Sequence, residues 1–316
     1  MTSFRRLAVA STLATVLLVA IGGLVRATKS GLGCGTDWPH CSGRLLPALE
    51  NRAVLIEFSH RLMASVVVVL LAVLVVAAWR LHRDDARILR ASIAAFALVL
   101  FQAVLGAIVV WLELAASSVV LHLATAMALL AVLVYLTAAA WTSEADRVDH
   151  PDGAVARRSA VAAAGVLALL LVGSYVSGRD AGYVFTDWPL MNGRLIPDLS
   201  YEPAAIHFLH RALAAIVGIV VAAVTLPVIR RKREGPVAAR FAAGALGLFV
   251  VQVMLGAANV WTPPPSRINE VFVSLHLLIA ALIWASLVAL YSVTTPALRA
   301  ERADKAIAAR AVYEAS

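Results

Sequence analysis

The sequence predicts an all-α integral membrane protein whose eight transmembrane helices form two pseudo-symmetric parallel four-helix bundles. The first observation is composition: the 316 residues are 61% hydrophobic and only 15% charged, whereas soluble domains average about 45–50% apolar and about 25% charged residues. The second is that the apolar residues fall into eight runs, each about as long as a helix that crosses a bilayer. The third is an internal repeat, because motifs of the first half recur 150 positions later.

The eight runs define the expected helices and the domain organisation. The helices are expected near residues 7–25, 58–79, 91–111, 118–140, 160–178, 204–229, 238–261 and 271–292. An N-terminal bundle then occupies residues 1–141, and a C-terminal bundle occupies residues 160–292. A cytoplasmic linker, 142–159, joins them, and a cytoplasmic tail, 293–316, follows. The first run is longer than the apolar region of a signal peptide, which is about 7–15 residues, so we expect a membrane helix there.

The internal repeat is clearest in two segments that each lead into a helix. The first segment, 36–61, reads TDWPHCSGRLLPALENRAVLIEFSHR, and the second, 186–211, reads TDWPLMNGRLIPDLSYEPAAIHFLHR. A repeat of this length indicates that one structural unit occurs twice. Each half has an even number of spans, so both halves enter the membrane with the same polarity. The two units are therefore expected to be parallel, related by an axis near the membrane normal.

Basic residues predict the orientation. Most of the 27 Lys and Arg residues lie at the N-terminus, in the turns after the second and sixth helices, in the linker and in the tail. Cytoplasmic loops are enriched in Lys and Arg, so both termini are expected in the cytoplasm of a multi-pass protein of the cell membrane. The net charge is +8, but the basic residues lie at helix ends rather than on one face, which argues against nucleic acid as a partner. The long loops 26–57 and 179–203 then face the outside, where we expect them to cap a site.

Four histidines that open the even-numbered helices carry the main functional prediction. His60 and His210 are repeat partners on the second and sixth helices, and His122 and His276 open the fourth and eighth. At a rise of about 1.5 Å per residue, all four are expected roughly 10 Å or less below the outer surface. Opposed histidines in a helix bundle suit a haem held at both axial positions. The alternative is a set of hydrogen-bonded structural histidines, but ionisable residues inside membranes are costly and usually functional.

One position of the repeat carries an acidic residue in the first half and a histidine in the second. Glu57 precedes His60 by three residues, so the two side chains share a helix face. The counterpart of Glu57 in the second half is His207. A carboxylate beside a haem ligand can handle a proton near a reacting molecule. The alternative is a carboxylate at a helix start, which the helix dipole favours.

Two further pairs of charged residues recur in the repeat. Arg61 and Arg211 each follow a histidine, and each guanidinium can either pair with a haem propionate or extend to the membrane surface. The sequence does not decide between these two roles. Asp37 and Asp187 each precede Trp-Pro, and this position is typical of turn residues.

The two cysteines lie in the first outer loop. Cys34 and Cys41 are seven residues apart, and their counterparts in the second half are Val184 and Met191. An oxidising compartment favours a disulfide between them. The bond is either a structural clamp or a redox-active pair, because an exposed loop disulfide is readily exchanged.

Together these features resemble the haem A synthase family. The resemblance rests on the duplicated halves, on E-x-x-H-R at Glu57–Arg61, on H-x-x-H-R at His207–Arg211, and on His122 and His276. It covers residues 7–292 and implies an enzyme that oxidises the C8 methyl group of haem O to the formyl group of haem A, for use by cytochrome oxidase. Two successive hydroxylations and loss of water would give the aldehyde.

The resemblance also implies a role for each half. The C-terminal half would hold a haem b cofactor with His210 and His276 as axial ligands of the iron and Arg211 beside it. The N-terminal half would receive the substrate haem. There the substrate-binding residues would be His60, His122 and Arg61, with both histidines at the haem iron, and the catalytic residue would be Glu57. Some family members carry a cysteine pair in each long outer loop, whereas this sequence has only the first pair.

Partners and alternatives follow from this interpretation. The expected partners are haem O as substrate, membrane lipid, a haem O synthase and a second copy of the chain, while the electron donor is not identified by the sequence. One alternative is a two-haem b-type membrane cytochrome that transfers electrons without modifying haem, which leaves Glu57 without a role. A transporter with parallel repeats fits less well, because its site would lie near the bilayer midplane rather than near the outer face.

Overall fold

The structure, a computed structural model, describes residues 3–141, 153–262, 264 and 266–295. The helices are α1 (Ser3–Ala27), α2 (Arg52–Leu81), α3 (Ala86–Trp111), α4 (Ala116–Trp141), α5 (Ala154–Gly178), α6 (Glu202–Arg231), α7 (Pro236–Trp261) and α8 (Arg267–Thr294). Within these described ranges, all eight helices are long and apolar enough to cross a membrane. The predicted all-α fold with eight spans is therefore confirmed. Residues 142–152 of the expected linker and 296–316 of the expected tail lie outside the described residues.

Several helices extend beyond the apolar runs that predict them. Helix α2 begins at Arg52, six residues before the expected start, because the side chain of Asn51 caps it by accepting the N–H of Ala53 at 2.8 Å. Helix α5 begins at Ala154, inside the range assigned to the linker, and α8 ends at Thr294, inside the range assigned to the tail. Hydropathy marks only the part of a helix that contacts lipid, so it misses turns that continue into the aqueous phase.

Helix packing follows the two halves of the sequence. In the first half, α1 packs against α2 and α4, and α3 packs against α2 and α4. In the second half, α5 packs against α6 and α8, and α7 packs against α6 and α8. Helices α1 and α4 also contact the second half, through α8 and α5. The pseudo-symmetric relation between the two halves stays a prediction.

Small residues allow the helices to approach closely. Buried alanines of α5, α7 and α8 belong to a core that also includes Val19 and Met127 of the first half: Ala162, Ala163, Ala245 and Ala281. Lipid tails are as apolar as leucine, so helices in a bilayer associate through close packing and hydrogen bonds rather than through the hydrophobic effect. Small side chains maximise this packing, which gives the histidine-bearing helices fixed positions.

Polar contacts join the two halves at the helix ends that carry the long loops. Nη2 of Arg26 donates to the carbonyl oxygen of Ser177 at 2.5 Å. Arg52 makes a bidentate ion pair with Glu270, with N–O distances of 3.2 and 2.5 Å. Exposed ion pairs contribute only about 0–1 kcal/mol, so their main effect is to fix the relative position of the α2 and α8 starts.

The two long outer loops contain the same tight turn. Residues 41–44 and 191–194 each form it, closed by backbone hydrogen bonds. Gly43 and Gly193 have φ angles of 76° and 73°, a left-handed conformation that favours glycine. Oδ2 of Asp37 accepts the N–H of Gly43 at 3.0 Å, and Oδ2 of Asp187 accepts that of Gly193 at 2.8 Å. The prediction that both aspartates are turn residues is confirmed.

The turn of the second half also perturbs its aspartate. Backbone hydrogen bonds from Gly193 and Asn192 lower the pKa of the Asp187 carboxyl group, because they stabilise its charged form. The carboxylate is therefore ionised at neutral pH, and this strengthens the turn that it closes.

Candidate functional site

The four predicted histidines lie in the N-terminal halves of α2, α4, α6 and α8. His60, His122, His210 and His276 follow the first residues of their helices by six to nine positions. This corresponds to roughly 9–14 Å along the helix axis. The expected depth of about 10 Å or less below the membrane surface stays a prediction, because these helices begin before the apolar runs that predict them.

The histidines of the second half form a close pair. The ring centroids of His210 and His276 are 6.5 Å apart, and their planes are inclined by 62°. Metal–nitrogen bonds of about 2 Å and ring radii of about 1 Å place two axial imidazoles roughly 6 Å apart, so this spacing suits one metal atom between the rings.

The type of metal group is constrained by what surrounds these pairs. Within the described part of the chain, no three His, Cys, Asp or Glu side chains converge to hold a metal ion. Two histidines alone give too few ligands for the usual four-coordinate protein site. A haem iron needs only two protein ligands, because the porphyrin supplies the other four. The residues present therefore fit a haem.

Unpaired ring nitrogens support the same conclusion. The Nδ1 atoms of His60, His122, His210 and His276 are buried and have no hydrogen-bond partner in the described structure. A buried polar atom without a partner costs about 1–3 kcal/mol. The same ring nitrogen is unpaired in all four histidines, so no protein hydrogen bond at this atom accounts for their burial.

Each of these histidines lies against a glycine of a neighbouring helix. The pairs are His60 with Gly22, His122 with Gly106, His210 with Gly173, and His276 with Gly256. A Cβ atom at Gly173 would lie 2.9 Å from Cε1 of His210, and one at Gly22 would lie 3.2 Å from Cε1 of His60. The missing side chains let the imidazoles lie against the backbones of α5 and α1. Sequence analysis did not identify Gly22 and Gly173 as part of the site.

His207 is engaged by the protein and is not a spare ligand. Its Nδ1 atom is 2.9 Å from the carbonyl oxygen of Ala181, to which it donates. Its Nε2 atom then accepts a hydrogen bond from Nε of Arg211 at 3.1 Å. These two bonds define one neutral tautomer and use both ring nitrogens. Although it lies one helical turn from His210, His207 has no free nitrogen for a metal.

Glu57 is buried in a different network at the corresponding place. Its side chain is 3% exposed, with Oε1 2.5 Å from Nη2 of Arg61. Oε2 accepts the backbone N–H of Cys34 at 2.8 Å. Because α2 begins at Arg52, Glu57 lies in the second turn of the helix, where the dipole effect is weak. The explanation of Glu57 as a helix-start charge is therefore wrong.

Close approach of the outer loop to α2 creates this network. A Cβ atom at Gly33 would lie 2.4 Å from the backbone carbonyl carbon of Ala53, so a larger residue could not occupy this position without moving the loop. The close approach brings the N–H of Cys34 to Glu57. The carboxylate therefore joins a membrane helix to the disulfide loop.

Arg61 and Arg211 clamp the two outer loops in the same way. Nη1 of Arg61 donates to the carbonyl oxygens of Asp37 and His40 at 2.9 and 2.7 Å, and Nη1 of Arg211 donates to those of Asp187 and Leu190 at 3.1 and 2.8 Å. Nη2 of Arg211, in contrast, is buried without a hydrogen-bond partner in the described structure. Arg211 thus keeps a donor for an anion, while Nη2 of Arg61 is taken by Glu57.

The cysteine pair forms a disulfide. Cys34 and Cys41 are bonded, with Cα atoms 4.5 Å apart. They are 0% and 2% exposed. Thiol exchange requires access to a sulfur atom, so this burial favours the structural clamp over the redox-active pair.

Comparison with known proteins gives one consistent family. Residues 5–288 match the family of the cytochrome oxidase assembly protein COX15-CtaA. The chain belongs to this family. It is 30% identical over 263 residues to a protein of Shouchella clausii (strain KSM-K16) named Heme A synthase, covering 82% of this chain and 87% of that protein. A protein of the same name from Symbiobacterium thermophilum (strain DSM 24528 / JCM 14929 / IAM 14863 / T) is 31% identical over 264 residues, covering 81% and 85% of the two chains.

The match to the COX15-CtaA family spans the histidine-bearing helices of both halves. A third Heme A synthase, from Halalkalibacterium halodurans (strain ATCC BAA-125 / DSM 18197 / FERM 7344 / JCM 9153 / C-125), is 28% identical over 294 residues and covers 90% of this chain and 95% of that protein. The similarity therefore concerns the duplicated structure as a whole. The fold, the eight spans and the paired histidines of this COX15-CtaA member are consistent with a multi-pass membrane protein that binds haem.

Proposed function

We propose that this protein is a haem A synthase, which oxidises the C8 methyl group of haem O to the formyl group of haem A for cytochrome oxidase. The observation that carries the proposal is the pair of histidines in each half, with unpaired ring nitrogens and with glycines that make room for the rings. Two such pairs provide for two haems, as an enzyme with a haem cofactor and a haem substrate requires. Family membership and the names of the relatives support the same function.

The C-terminal half, 160–292, is proposed as the cofactor half. The 6.5 Å spacing of His210 and His276 supports their role as axial ligands of a haem b. The partnerless Nη2 of Arg211 supports binding of an anionic propionate. The bound haem supplies the redox chemistry. His207 supports the site by fixing Arg211 through Nε2.

The N-terminal half, 1–141, is proposed as the substrate half. His60 and His122 would hold the iron of the incoming haem, and the clamp made by Arg61 keeps the outer loop over the site. Glu57 lies in an ion pair with Arg61, and its carboxylate is proposed to accept a proton or to stabilise positive charge that develops at the C8 methyl group. The backbone N–H of Cys34 holds the Glu57 carboxylate in place before substrate binds.

The location and partners follow from the same proposal. Both termini are placed in the cytoplasm of a cell-membrane protein because Lys and Arg residues concentrate on their side. The disulfide then lies on the oxidising side, as expected for such bonds. Contacts with a haem O synthase and with a second copy of the chain stay predictions.

Analysis of extracted haem tests the function. Membranes containing this protein and haem O are expected to accumulate haem A, with the hydroxylated haem as an intermediate. The electron-transfer alternative predicts haem-loaded protein and unchanged haem O. Haem O that remains unmodified in the presence of folded, haem-loaded protein and oxygen would refute the proposed function.

A further inference from the structure

The repeated arginines Arg61 and Arg211 have different counterions. Arg61 pairs with the carboxylate of Glu57 at 2.5 Å, so this pair carries no net charge. Arg211 donates instead to the ring of His207 at 3.1 Å. Their loop contacts are otherwise alike, because each Nη1 donates to two backbone carbonyl groups.

The ring of His207 is neutral in this network. Nε2 must carry a lone pair to accept from the guanidinium, and Nδ1 must carry the proton to donate to Ala181. The pair His207–Arg211 therefore carries one positive charge. It lies partly buried in the second and third turns of α6, and Arg211 directly follows His210.

Nearby carboxylates do not cancel this difference. Asp187 approaches Arg211 through its backbone carbonyl, while its carboxylate binds the N–H groups of the turn. Asp37 holds the corresponding place in the first half, so each half has one such carboxylate. A propionate would likewise add one negative charge to either half. The second site thus has one more positive charge than the first.

We propose that His207 tunes the haem of the second half: as a neutral replacement for a carboxylate, it leaves Arg211 without the counterion that Glu57 gives Arg61 and so raises the reduction potential of that haem. This inference rests on the proposed function, since it requires a haem between His210 and His276. Reduction adds one electron to the ferric iron to give ferrous iron, and no bond forms or breaks. A nearby positive charge favours the reduced state, because that state carries one positive charge fewer.

The different potentials would separate the tasks of the two halves. A haem of higher potential keeps an electron more readily, which suits a stable cofactor. The neutral pair of Glu57 and Arg61 lacks this effect, so a haem in the first half is easier to oxidise. The exchange of one residue in the repeat thereby distinguishes two sites with the same axial ligands.

Redox titration of the purified, full-length, haem-loaded protein tests the inference. The electron comes from a chemical reductant, and visible absorption of the low-spin haem reports its oxidation state. His207→Glu gives Arg211 the counterion that Arg61 has. At the midpoint potential of the wild type, we expect the ratio of reduced to oxidised haem to fall about tenfold, a shift of about 59 mV for a one-electron couple.

Two control variants separate charge from shape. His207→Gln keeps a donor for Ala181 and an acceptor for Arg211 without adding charge, so its midpoint should stay near that of the wild type. Glu57→Gln changes charge in the other half and should also leave the midpoint of the second-half haem near the wild-type value. Equal midpoints for His207→Glu and His207→Gln, or a higher midpoint for His207→Glu, would overturn the inference.

A second pair of variants decides the matter if His207→Glu does not fold or retain haem. Arg211→Gln removes the positive charge and should lower the midpoint, whereas Arg211→Lys keeps the charge and should titrate closer to the wild type. Equal midpoints for these two would overturn the inference. A folded wild type that binds no haem would refute the proposed function as well, whereas a haem-loaded protein with insensitive midpoints would refute the tuning role alone.

Discussion

Replacing Glu57 by glutamine tests the proposed catalytic carboxylate. The new side chain keeps the size of the old one, and its amide oxygen can still accept the N–H of Cys34. The amide N–H₂ then faces Nη2 of Arg61, which was 2.5 Å from the lost oxygen. Two hydrogen-bond donors therefore face each other without an acceptor between them. The change therefore removes a proton acceptor and also breaks a buried ion pair.

The structure sets the size of both effects. Removing one partner from a buried ion pair costs about 3–5 kcal/mol. Arg61 keeps its hydrogen bonds to the loop carbonyls and some contact with solvent, so we expect a loss of folding stability near the lower end, about 3 kcal/mol. If Glu57 handles a proton, turnover per folded molecule should also fall by roughly 10²–10⁴.

The assay must therefore count folded protein. We would measure haem A formed per molecule of folded enzyme, and record the spectrum of the second-half haem, which should persist because that haem lies in the other half. Arg61→Gln serves as the matched control, because it breaks the same ion pair but keeps the carboxylate. Glu50→Gln, at an exposed position of the same loop, controls for loss of a negative charge.

Two outcomes would refute this reasoning. Near-normal haem A production by folded Glu57→Gln would remove the catalytic role. An equal loss of turnover in Arg61→Gln would show that the ion pair or the loop position matters, rather than proton handling by the carboxylate. Arrest at haem O or at the hydroxylated haem in Glu57→Gln alone would support the assignment.

Three further predictions concern the cofactor half, the disulfide and the topology. His276→Ala should abolish the low-spin b-type spectrum, and an unchanged spectrum would contradict the ligand assignment. Gly173→Ala should perturb the same spectrum, because the added methyl group would press on the ring of His210. Replacing Cys34 and Cys41 together by serine should lower the free energy of unfolding by about 2 kcal/mol and leave turnover of the folded protein intact, and a folded but inactive variant would instead indicate redox chemistry. A reporter fused to the C-terminus should be active only in the cytoplasm, and activity outside the cell would reverse the topology.

Much of the fold was accessible from sequence because membranes impose strong constraints on it. Every span had to be a long apolar helix, so hydropathy located all eight. The repeat added the pairing of His60 with His210 and the matched turns at Asp37 and Asp187. Helix starts were less predictable: the six residues of α2 from Arg52 onwards lie under the outer loop, where capping rather than hydropathy decides the boundary.

The surroundings of the site were harder to predict because they depend on contacts between distant segments. Gly22 and Gly173 recur 151 positions apart, and this near-match to the repeat was the available signal. What they contact depends on how α1 and α5 pack against α2 and α6. The bond from Cys34 to Glu57 has no counterpart in the repeat, so no internal comparison could indicate it.

The attachment of Glu57 to the backbone of Cys34 has a consequence for the route of entry into the first half. The disulfide loop cannot rise from α2 without breaking this hydrogen bond and the carbonyl contacts of Arg61, which would bare a buried ion pair. A planar molecule as large as a haem would need such an opening if it arrived from the aqueous phase. Entry between the helices, from the bilayer, would instead leave these contacts of the closed loop intact.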